Sequence, residues 1–210
     1  MGNLKPGITV VIPSIPVRDE ELVRAAESAE AQTLRPVDIL IETDHERVGA
    51  ALNRDRGLAR VGTEWVAFLD DDDELYPQHL ERLLETALRT GADLVYPWYD
   101  VKGGTDPFPQ WEGVPWSNDA THQVPITVLA RTEAIRAVGG YSYAWDPSQG
   151  TDPGLDPDGN RAGEDYRLIL RMVARGLKIV HHNERTWAWH HHGLGAPGVP
   201  GNTSGLPSRW

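Results

Sequence analysis

The sequence predicts an α/β protein whose single domain is built on a mostly parallel central sheet. Strand-like and helix-like segments alternate from Ile8 to Tyr96, which is typical of parallel sheets flanked by helices. The apolar run at residues 65–69 (WVAFL) shows no polar alternation, as expected for a strand buried on both faces. With 210 residues, of which 40% are hydrophobic, the chain can hold one sizeable core.

The first half of the chain contains four predicted strands and three predicted helices. The strands are expected at residues 8–12 (ITVVI), 37–41 (VDILI), 65–69 and 93–96 (DLVY). Asp19 is expected to cap the first helix, and an apolar stripe that includes Val48 and Leu58 predicts the second. The third helix is expected to start at Pro77 and to end at Gly91.

The second half has longer loops between its predicted elements. A strand is expected at residues 124–130, a short helix at 132–138, a helix at 163–175 and a last clear strand at 177–180, before a weakly alternating segment at 186–192. Residues 102–120 and 143–161 are rich in Gly, Pro and Asp and are predicted to be loops, the second of them mobile. Residues 193–210 are expected to form a flexible Gly/Pro-rich tail.

Composition excludes several function classes. The 31 acidic and 20 basic residues give a net charge of −11, so the chain lacks the strong basic footprint of nucleic-acid-binding proteins. It contains no cysteine, which excludes disulfides and thiolate chemistry. No apolar stretch reaches the roughly 20 residues of a transmembrane helix, and residues 1–7 lack the apolar segment of a signal peptide. These features predict a soluble cytoplasmic protein.

Four aspartates, Asp70 to Asp73, directly follow the predicted strand at residues 65–69. Ligands of open α/β sheets bind outside the carboxyl ends of the strands. Carboxylates gathered at such an edge repel one another unless a cation lies among them, and Mg²⁺ is typically bound by one or two carboxylates together with substrate phosphates. A solvated acidic turn is the alternative. The position after a buried strand favours a metal–phosphate site.

Four motifs, in order, resemble GT-A-fold glycosyltransferases of the family-2 type. The segments ITVVIPSIPVRDE and VDILIETD resemble the first two strands of that family. The segment NRDRGLARVGTEWVAFLDDDDEL resembles the signature RN-x-G…A-x-G…L-D-x-D-D, and AVGGY followed by GEDYRLILR resembles GGF…ED-x-x-L-x-x-R. The similarity extends from about residue 8 to residue 192, with a donor-binding half at about 1–100 and an acceptor-binding half at about 101–192.

The resemblance implies a metal-dependent, inverting transfer of a sugar from a nucleotide-sugar donor, most simply a UDP-sugar, to an acceptor hydroxyl. The implied cofactor is Mn²⁺ or Mg²⁺. The acceptor stays open between a glycan, a lipid carrier, a protein and a modified nucleobase. A catalytically silent nucleotide- or carbohydrate-binding module is an alternative function. A nucleotidyltransferase is disfavoured, because residues 13–19 lack a Gly-rich basic loop.

Family similarity assigns donor-site roles to five positions. The D-x-D pattern falls on Asp70 and Asp72, with Asp72 as the metal ligand and Asp70 contacting ribose or metal. Asp71 and Pro13 are included among the residues expected to contact the donor. Asp44 is expected to accept a hydrogen bond from the base, although a strand-end turn or a helix cap explains an aspartate there nearly as well.

The same similarity makes Asp165 the general base, while two acids at a helix start also fit a purely structural role near the helix dipole. A histidine ligand is expected late in the chain, at His190 or His192. The pair at residues 181–182 (HH) is interpreted as structural.

Other positions have two interpretations. Asp55 stands where the family usually has asparagine, and it either braces a loop or lies at the rim of its helix. Trp98, Trp111 and Trp116 either stack on a sugar or base, or pack to hold down a long loop.

Overall fold

The computed structural model describes residues 4–143 and 163–190, which form a seven-stranded sheet flanked by helices. The strands are β1 (Lys5–Ser14), β2 (Asp38–Thr43), β3 (Thr63–Phe68), β4 (Glu74–Leu75), β5 (Leu94–Lys102), β6 (Leu129–Arg131) and β7 (Ile179–His190). The helices are α1 (Asp19–Glu30), α2 (Ala50–Arg60), α3 (His79–Thr90), α4 (Thr132–Ala137) and α5 (Glu164–Ala174), and a 3₁₀ turn spans Pro109–Trp111.

The strand order is β2-β1-β3-β6-β5-β7-β4. β1 pairs in parallel with β2 and β3, and β5 pairs in parallel with β7. β6 is antiparallel to both β3 and β5, and the short β4 is antiparallel to β7. The predicted α/β class with a mostly parallel sheet is therefore confirmed, and the sheet is mixed because β6 joins its two parallel parts.

Both faces of the sheet are covered, as the unbroken apolar runs predict. Side chains of β1 alternate between two hydrophobic clusters, with Val11 in one and Val10 in the other. The first cluster packs against α2, α4 and α5, and the second packs against α1 and α3. Leu80 and Leu83 of α3 are fully buried in the second cluster. This two-sided burial fixes the sheet and leaves its strand ends available for a site.

Two helix starts differ from the prediction. Asp19 is the first residue of α1 rather than its cap, and the cap position belongs to Arg18, whose side chain makes no capping bond. Three acids in the first turn of α1 favour the positive end of its dipole instead. α3 starts at His79, two residues after Pro77, and ends as predicted at Gly91, whose φ of 69° suits glycine.

Two strand predictions in the second half need correction. The strand predicted at residues 124–130 is reduced to Leu129–Arg131, and Pro125 lacks the N–H that a longer ladder would use. The last strand is a single long β7 instead of two separate segments, since His181, His182 and Arg185 pair with β5 and a register shift passes over residues 183–184. β4 pairs only with Trp187 and Ala188, so those polar residues keep one solvent-facing edge.

Several predictions fall on residues that the structure does not describe. The loop predicted at residues 143–161 is described only at Tyr143, and the tail predicted at 193–210 lies outside the described residues. None of the helices in the described parts of the chain combines the length and apolar character that a membrane crossing requires.

Candidate active site

The four aspartates form the turn between β3 and β4, at the carboxyl end of the buried β3 strand. Asp70, Asp72 and Asp73 each offer a carboxylate oxygen to one cluster, and these oxygens all lie within 4.8 Å of one another. The parallel pairing of β3 with β1 makes this the edge at which ligands of α/β sheets bind.

Asp71 points into the protein, whereas the adjacent Asp70 and Asp72 are partly exposed. It is fully buried, and it accepts hydrogen bonds from Arg18 Nη1 at 2.7 Å and from the backbone N–H of Ile15 at 3.3 Å. Burial raises the pKa of Asp71, and Arg18 offsets only part of that effect. Asp71 therefore holds the connection between β1 and α1, and its predicted contact with the donor stays a prediction.

Asp73 is the buried member of the cluster formed by Asp70, Asp72 and Asp73. It is 2% exposed, and its Oδ1 accepts the backbone N–H of His190 at 3.0 Å. Burial, followed by the nearby carboxylates of Asp70 and Asp72, raises the pKa of Asp73 well above its ordinary value. A divalent cation among the three carboxylates would relieve this repulsion, and hard oxygen ligands of this type suit Mg²⁺ or Mn²⁺. The residues present fit the implied metal.

Two arginines balance the outer carboxylates of the cluster. Arg18 Nη1 lies 2.8 Å from Asp72 Oδ2, and Arg54 Nη2 lies 2.7 Å from Asp70 Oδ1. Burial lowers the pKa of Arg54, but the carboxylates of Asp70 and Glu164 outweigh burial and raise it further above its ordinary value. Both arginines therefore remain charged, and they orient the carboxylates that they contact.

Arg54 also joins the acidic cluster to the start of α5. Its Nη1 donates to Glu164 Oε1 at 3.0 Å, so one buried guanidinium bridges Asp70 and Glu164. Glu164 and Asp165 are the first two residues of α5. Positions that are almost 100 residues apart in the sequence are thereby brought to one site.

Asp165 lies on the cavity side of this bridge. Its Oδ1 accepts the backbone N–H of Tyr166 at 2.7 Å, which helps to hold the start of the helix. Burial, then the charge of Glu164, raises the pKa of Asp165 to about 6, even though the Tyr166 N–H opposes the shift. A carboxylate with this pKa is a stronger base than an ordinary aspartate and is still ionised at neutral pH.

A cavity of about 150 Å³ connects these groups. Asp70, Asp73 and Asp165 supply its carboxylates. Its walls are largely aromatic and come from β5, β7 and the loop between β5 and β6: Trp98, Tyr99, Phe108, Trp187 and Trp189. An apolar concave site with a few convergent polar groups is typical of small-molecule binding.

Sequence comparison identifies the family. The model described as "Glycosyl transferase family 2" matches residues 18–134, which is more than half of the 210 residues. The chain belongs to glycosyl transferase family 2. The resemblance predicted from the motifs is thereby confirmed. No curated protein sequence matches the chain.

Solved structures with a similar fold include three of S. aureus TarS. The 1–349 fragment in complex with UDP has a TM-score of 0.66 at 11% identity, over 88% of this chain and 60% of that one. The complex with UDP-GlcNAc has a TM-score of 0.68 at 12% identity, over 88% and 58%. A longer TarS structure has a TM-score of 0.68 at 11% identity, over 88% and 37%. The chain thus spans less than two thirds of these structures, and the likeness shows a shared fold.

Asp44, which was predicted to contact the nucleobase of the donor, is hydrogen-bonded within its own loop. It is 1% exposed, and its two carboxylate oxygens accept the N–H groups of Val48 at 2.9 Å and Gly49 at 2.8 Å. Burial opposes ionisation, but these backbone donors outweigh it and lower the pKa of Asp44. The geometry favours the turn interpretation of Asp44. Pro13 is buried in β1 and lies beside Glu42 of β2.

Of the two histidines predicted as metal ligands, His190 and His192, the structure describes only the first. His190 contributes its backbone N–H to Asp73, while its ring Nε2 lies 3.6 Å from Glu74 Oε2. The ring of His190 is not part of the cluster formed by Asp70, Asp72 and Asp73, so the structure does not bring it to the predicted metal position. His192 lies outside the described residues.

Asp55, the departure from the family pattern, braces the glycine turn after α4. Its carboxylate accepts the N–H groups of Tyr141 at 2.8 Å and Ser142 at 2.7 Å, and also the Ser142 hydroxyl. Gly140 has a φ of 74°, and a Cβ added there would lie only 2.3 Å from Asp55 Oδ1. Of the two predicted interpretations, loop bracing is the one observed.

The tryptophans and histidines of the second half mainly pack. Trp98 is 1% exposed and donates to Asp106, and Trp111 stacks on His122 at 4.7 Å. These contacts favour the packing interpretation for Trp111, whereas Trp98 both packs and lines the cavity. The structural interpretation of the HH pair agrees with the geometry, since His181 bonds the Val114 carbonyl and His182 bonds the Thr86 hydroxyl.

Sequence reasoning missed three contributors to the site: Arg18, Arg54 and the aromatic wall from β7. Both arginines lie in motif segments, in VRDE and NRDRG, where charged residues have many possible uses. The spacing of the segment TWAWH does predict Trp187 and Trp189 on one face of an extended strand, but it does not show that this face lines a cavity.

Proposed function

We propose that this chain transfers a sugar from a nucleoside diphosphate donor to an acceptor hydroxyl, with a divalent cation bound and with inversion at the anomeric carbon. The observation that supports this most directly is that Asp165, with its raised pKa, opens on the same cavity as Asp70 and Asp73. Metal-suited carboxylates and a candidate base thus lie around one space large enough for a small ligand.

Asp72 is the proposed metal ligand, and Asp70 and Asp73 complete the oxygen cluster. When bound, Mn²⁺ or Mg²⁺ supplies Lewis-acid neutralisation of the charge on the leaving diphosphate. The residues of the chain hold the cluster in place, with Arg18 and Arg54 fixing Asp72 and Asp70. Structures of S. aureus TarS with UDP and UDP-GlcNAc support UDP as the nucleotide to test first.

The donor-binding half is proposed to span about residues 1–100 and the acceptor-binding half about residues 101–192. The base of the donor is proposed to lie near Pro13 and Asp44, at the carboxyl ends of β1 and β2. Asp44 would act there chiefly by shaping the loop at residues 44–49, because both of its oxygens already accept backbone N–H groups.

Asp165 is proposed to take the proton of the acceptor hydroxyl as the acceptor oxygen bonds to the anomeric carbon. The bond from that carbon to the diphosphate oxygen breaks in the same step, and the electron pair leaves with the nucleoside diphosphate. A base that delivers the hydroxyl from the face opposite the leaving group inverts the configuration. The pKa of about 6 suits this role at neutral pH.

The test is a panel of UDP-sugars in Mn²⁺, in Mg²⁺ and in EDTA, with UDP release and product configuration measured by NMR. Glycans, lipid-linked sugars, peptides and nucleosides serve as acceptors, and water is the background acceptor. Metal-dependent release of UDP with an inverted product supports the proposal. Tight, metal-dependent binding of UDP-sugars without any turnover would instead identify a silent binding module.

A further inference from the structure

The aromatic wall of the cavity is attached to a carboxylate that does not itself line the cavity. Asp106 accepts three hydrogen bonds: from Trp98 Nε1 at 2.9 Å, from the Tyr99 hydroxyl at 2.9 Å and from the backbone N–H of Phe108 at 2.8 Å. All three donors belong to residues of the cavity wall. One side chain in the loop between β5 and β6 therefore joins the strand part of the wall to its loop part.

The backbone of β5 directs two successive side chains towards Asp106. Neighbouring side chains of a regular strand point to opposite faces, yet the rings of Trp98 and Tyr99 stack at 4.9 Å and both belong to the second hydrophobic cluster. Two register shifts between β5 and β7 flank Trp98, and irregular pairing of this kind commonly redirects a side chain beside a site. The sheet thereby presents two adjacent aromatic rings whose polar groups share one acceptor.

The bonds to Asp106 supply a direction that packing alone does not. Apolar contact is non-directional, whereas a hydrogen bond to a carboxylate is directional and roughly twice as strong as a neutral one. Trp98 is 1% exposed, so the loss of Asp106 would leave its N–H buried without this acceptor. Burial, followed by the bond to Asp106, raises the pKa of Tyr99, so its hydroxyl stays protonated and remains a donor.

Tyr99 extends the effect of Asp106 to β7. Its ring centroid lies 5.2 Å from that of Trp187 and 5.8 Å from that of Trp189, the two β7 residues of the wall. Asp106 thus holds three of the five aromatic wall residues directly and contacts the other two through Tyr99.

We propose that Asp106 is a positioning residue for the transfer, which acts through the aromatic wall and not by contact with the donor or the acceptor. The wall shares one cavity with Asp70, Asp73 and Asp165, so a shift of its rings changes where a ligand lies relative to the proposed base. A misplacement of about 1 Å can cost roughly 10²-fold in rate. The inference rests on the proposed function, because the positioning has a kinetic consequence only if the cavity holds the reacting groups.

The two oxygens of Asp106 allow a graded test. Tyr99 and Phe108 donate to Oδ1, whereas Trp98 donates to Oδ2. Asp106→Asn can keep the first two bonds through its amide oxygen, but it places an NH₂ group against the N–H of Trp98. Asp106→Ala removes all three acceptors.

The measured quantity is kcat/KM for UDP release from UDP-GlcNAc and from UDP-glucose, in Mn²⁺ with water as the acceptor. Asp106→Ala should lower it by roughly 10²-fold, and Asp106→Asn should lower it by less. UDP affinity, measured by calorimetry, should stay near that of the wild type, because the nucleotide base is proposed to bind beside β1 and β2. If the alanine variant does not fold, Asp106→Asn alone carries the comparison.

Glu112→Gln is the matched control, since it removes another carboxylate from the same loop. Glu112 pairs with Arg185 at the surface and does not line the cavity, so this variant should bind UDP and release it as the wild type does. The NMR signals of the indole N–H groups give a readout that is independent of turnover. In Asp106→Asn, the Trp98 signal should shift and exchange faster with solvent, and the signals of the two β7 tryptophans should shift with it. In Glu112→Gln, all three signals should stay close to their wild-type positions.

Three results would overturn the inference. The first is wild-type kcat/KM in every folded Asp106 variant. The second is an equal fall in UDP affinity and in kcat/KM with a lower melting temperature, which indicates a general structural role. The third is an equal loss in Glu112→Gln, which assigns the effect to the charge of the loop. If the wild type releases no UDP from any UDP-sugar, the proposed function fails; unchanged signals of Trp187 and Trp189 in Asp106→Asn would then also exclude the positioning role, whereas shifted signals would retain it.

Discussion

Arg54 Nη2 donates to Asp70 Oδ1 at 2.7 Å, in a position where the arginine side chain is only 4% exposed. The other terminal nitrogen of the same guanidinium donates to Glu164, next to Asp165. The placement of Asp70 relative to Asp165, the proposed general base, therefore depends on one buried guanidinium. Arg54 is the buried member of this bridge, whereas Asp70 and Glu164 are partly exposed.

Replacing Arg54 with Gln is expected to lower the free energy of unfolding by about 1.5–3 kcal/mol, the usual worth of a hydrogen bond to a charged group, because the two carboxylates that lose it are partly exposed. Urea denaturation measures the change. Arg56→Gln is the matched control, because Arg56 lies on the same helix and pairs with the exposed Glu46. The control should change stability much less, because an ion pair at the surface contributes little. Equal effects of the two substitutions would contradict the bridging role of Arg54.

Asp72 and Asp71 are adjacent, but their carboxylates have different surroundings. Asp72→Asn should weaken nucleotide binding in Mn²⁺ by at least roughly tenfold, because losing even an indirect metal partner typically costs that much. Asp71→Asn should leave nucleotide affinity near that of the wild type and should lower stability, because the fully buried Asp71 carboxylate holds Arg18 and Ile15. Calorimetry and urea denaturation separate the two effects, and a reversed pattern would exchange the roles assigned here.

The sequence predicts the sheet better than it predicts the cavity. β1 and β3 are recognisable because each strand is buried on both faces of the sheet, as the buried Val10, Val11 and Val66 show. A strand of this kind requires an unbroken apolar run. β6 and β7 are harder to predict. Their pairing depends on long-range partners, as when the polar residues 181–185 follow β5 through register shifts.

The sequence also predicts some residues of the candidate site better than others. The carboxylates suited to a metal ion (Asp70, Asp72 and Asp73) and Asp165 occupy motif positions that can be recognised in the sequence. The direction in which each carboxylate points is set by tertiary partners, and for this reason Asp71 turns towards Arg18 while Asp73 meets the backbone of His190. The aromatic cavity wall joins residues from β5 and β7, and only the parallel pairing of these strands brings them together.

Asp55→Ala tests the brace on the glycine turn. Removing this carboxylate leaves the N–H groups of Tyr141 and Ser142 without their acceptor, and the free energy of unfolding should fall by about 1–3 kcal/mol. Asp55→Asn, which restores the usual family residue, keeps one acceptor oxygen and should recover part of that loss. Thermal and urea denaturation measure both variants. Full stability of the alanine variant would show that the turn does not need the brace.

The raised pKa of Asp165 also predicts a stability change. Between its ordinary value of 3.8 and the folded value of about 6, the unfolded chain loses this proton while the folded protein keeps it. The wild type should therefore lose stability from this group as pH rises through that interval, with no further loss above it. Asp165→Asn removes the effect and should be more stable than the wild type by about 1–2 kcal/mol at pH 8, after allowance for solvent screening. At pH 4 the two proteins should be nearly equal, and urea denaturation at both pH values tests this.

Catalysis gives the most specific test of Asp165. Its ionised form is the proton acceptor, so kcat/KM of the wild type should rise about tenfold per pH unit below pH 6 and level off above it. Asp165→Asn preserves the shape and can still accept the N–H of Tyr166, but it cannot take a proton. Transfer should fall by roughly 10²–10⁴-fold, the usual worth of a positioned base. Donor affinity should change little, because Asp70, Asp72 and Asp73 are intact.

Glu164→Gln is the control for that experiment, because it changes the adjacent acid and leaves Asp165 in place. Glu164 contacts Arg54, so the variant should lose stability and lower the pKa of Asp165 through removal of a neighbouring negative charge. The pH profile should then shift towards lower pH, while the maximal rate remains far above that of Asp165→Asn. If Asp165 is the general base, the pH profile should shift in Glu164→Gln and should be lost in Asp165→Asn. Near wild-type transfer by Asp165→Asn, or a product with retained configuration, would remove Asp165 from the mechanism, since the proton would then have another acceptor.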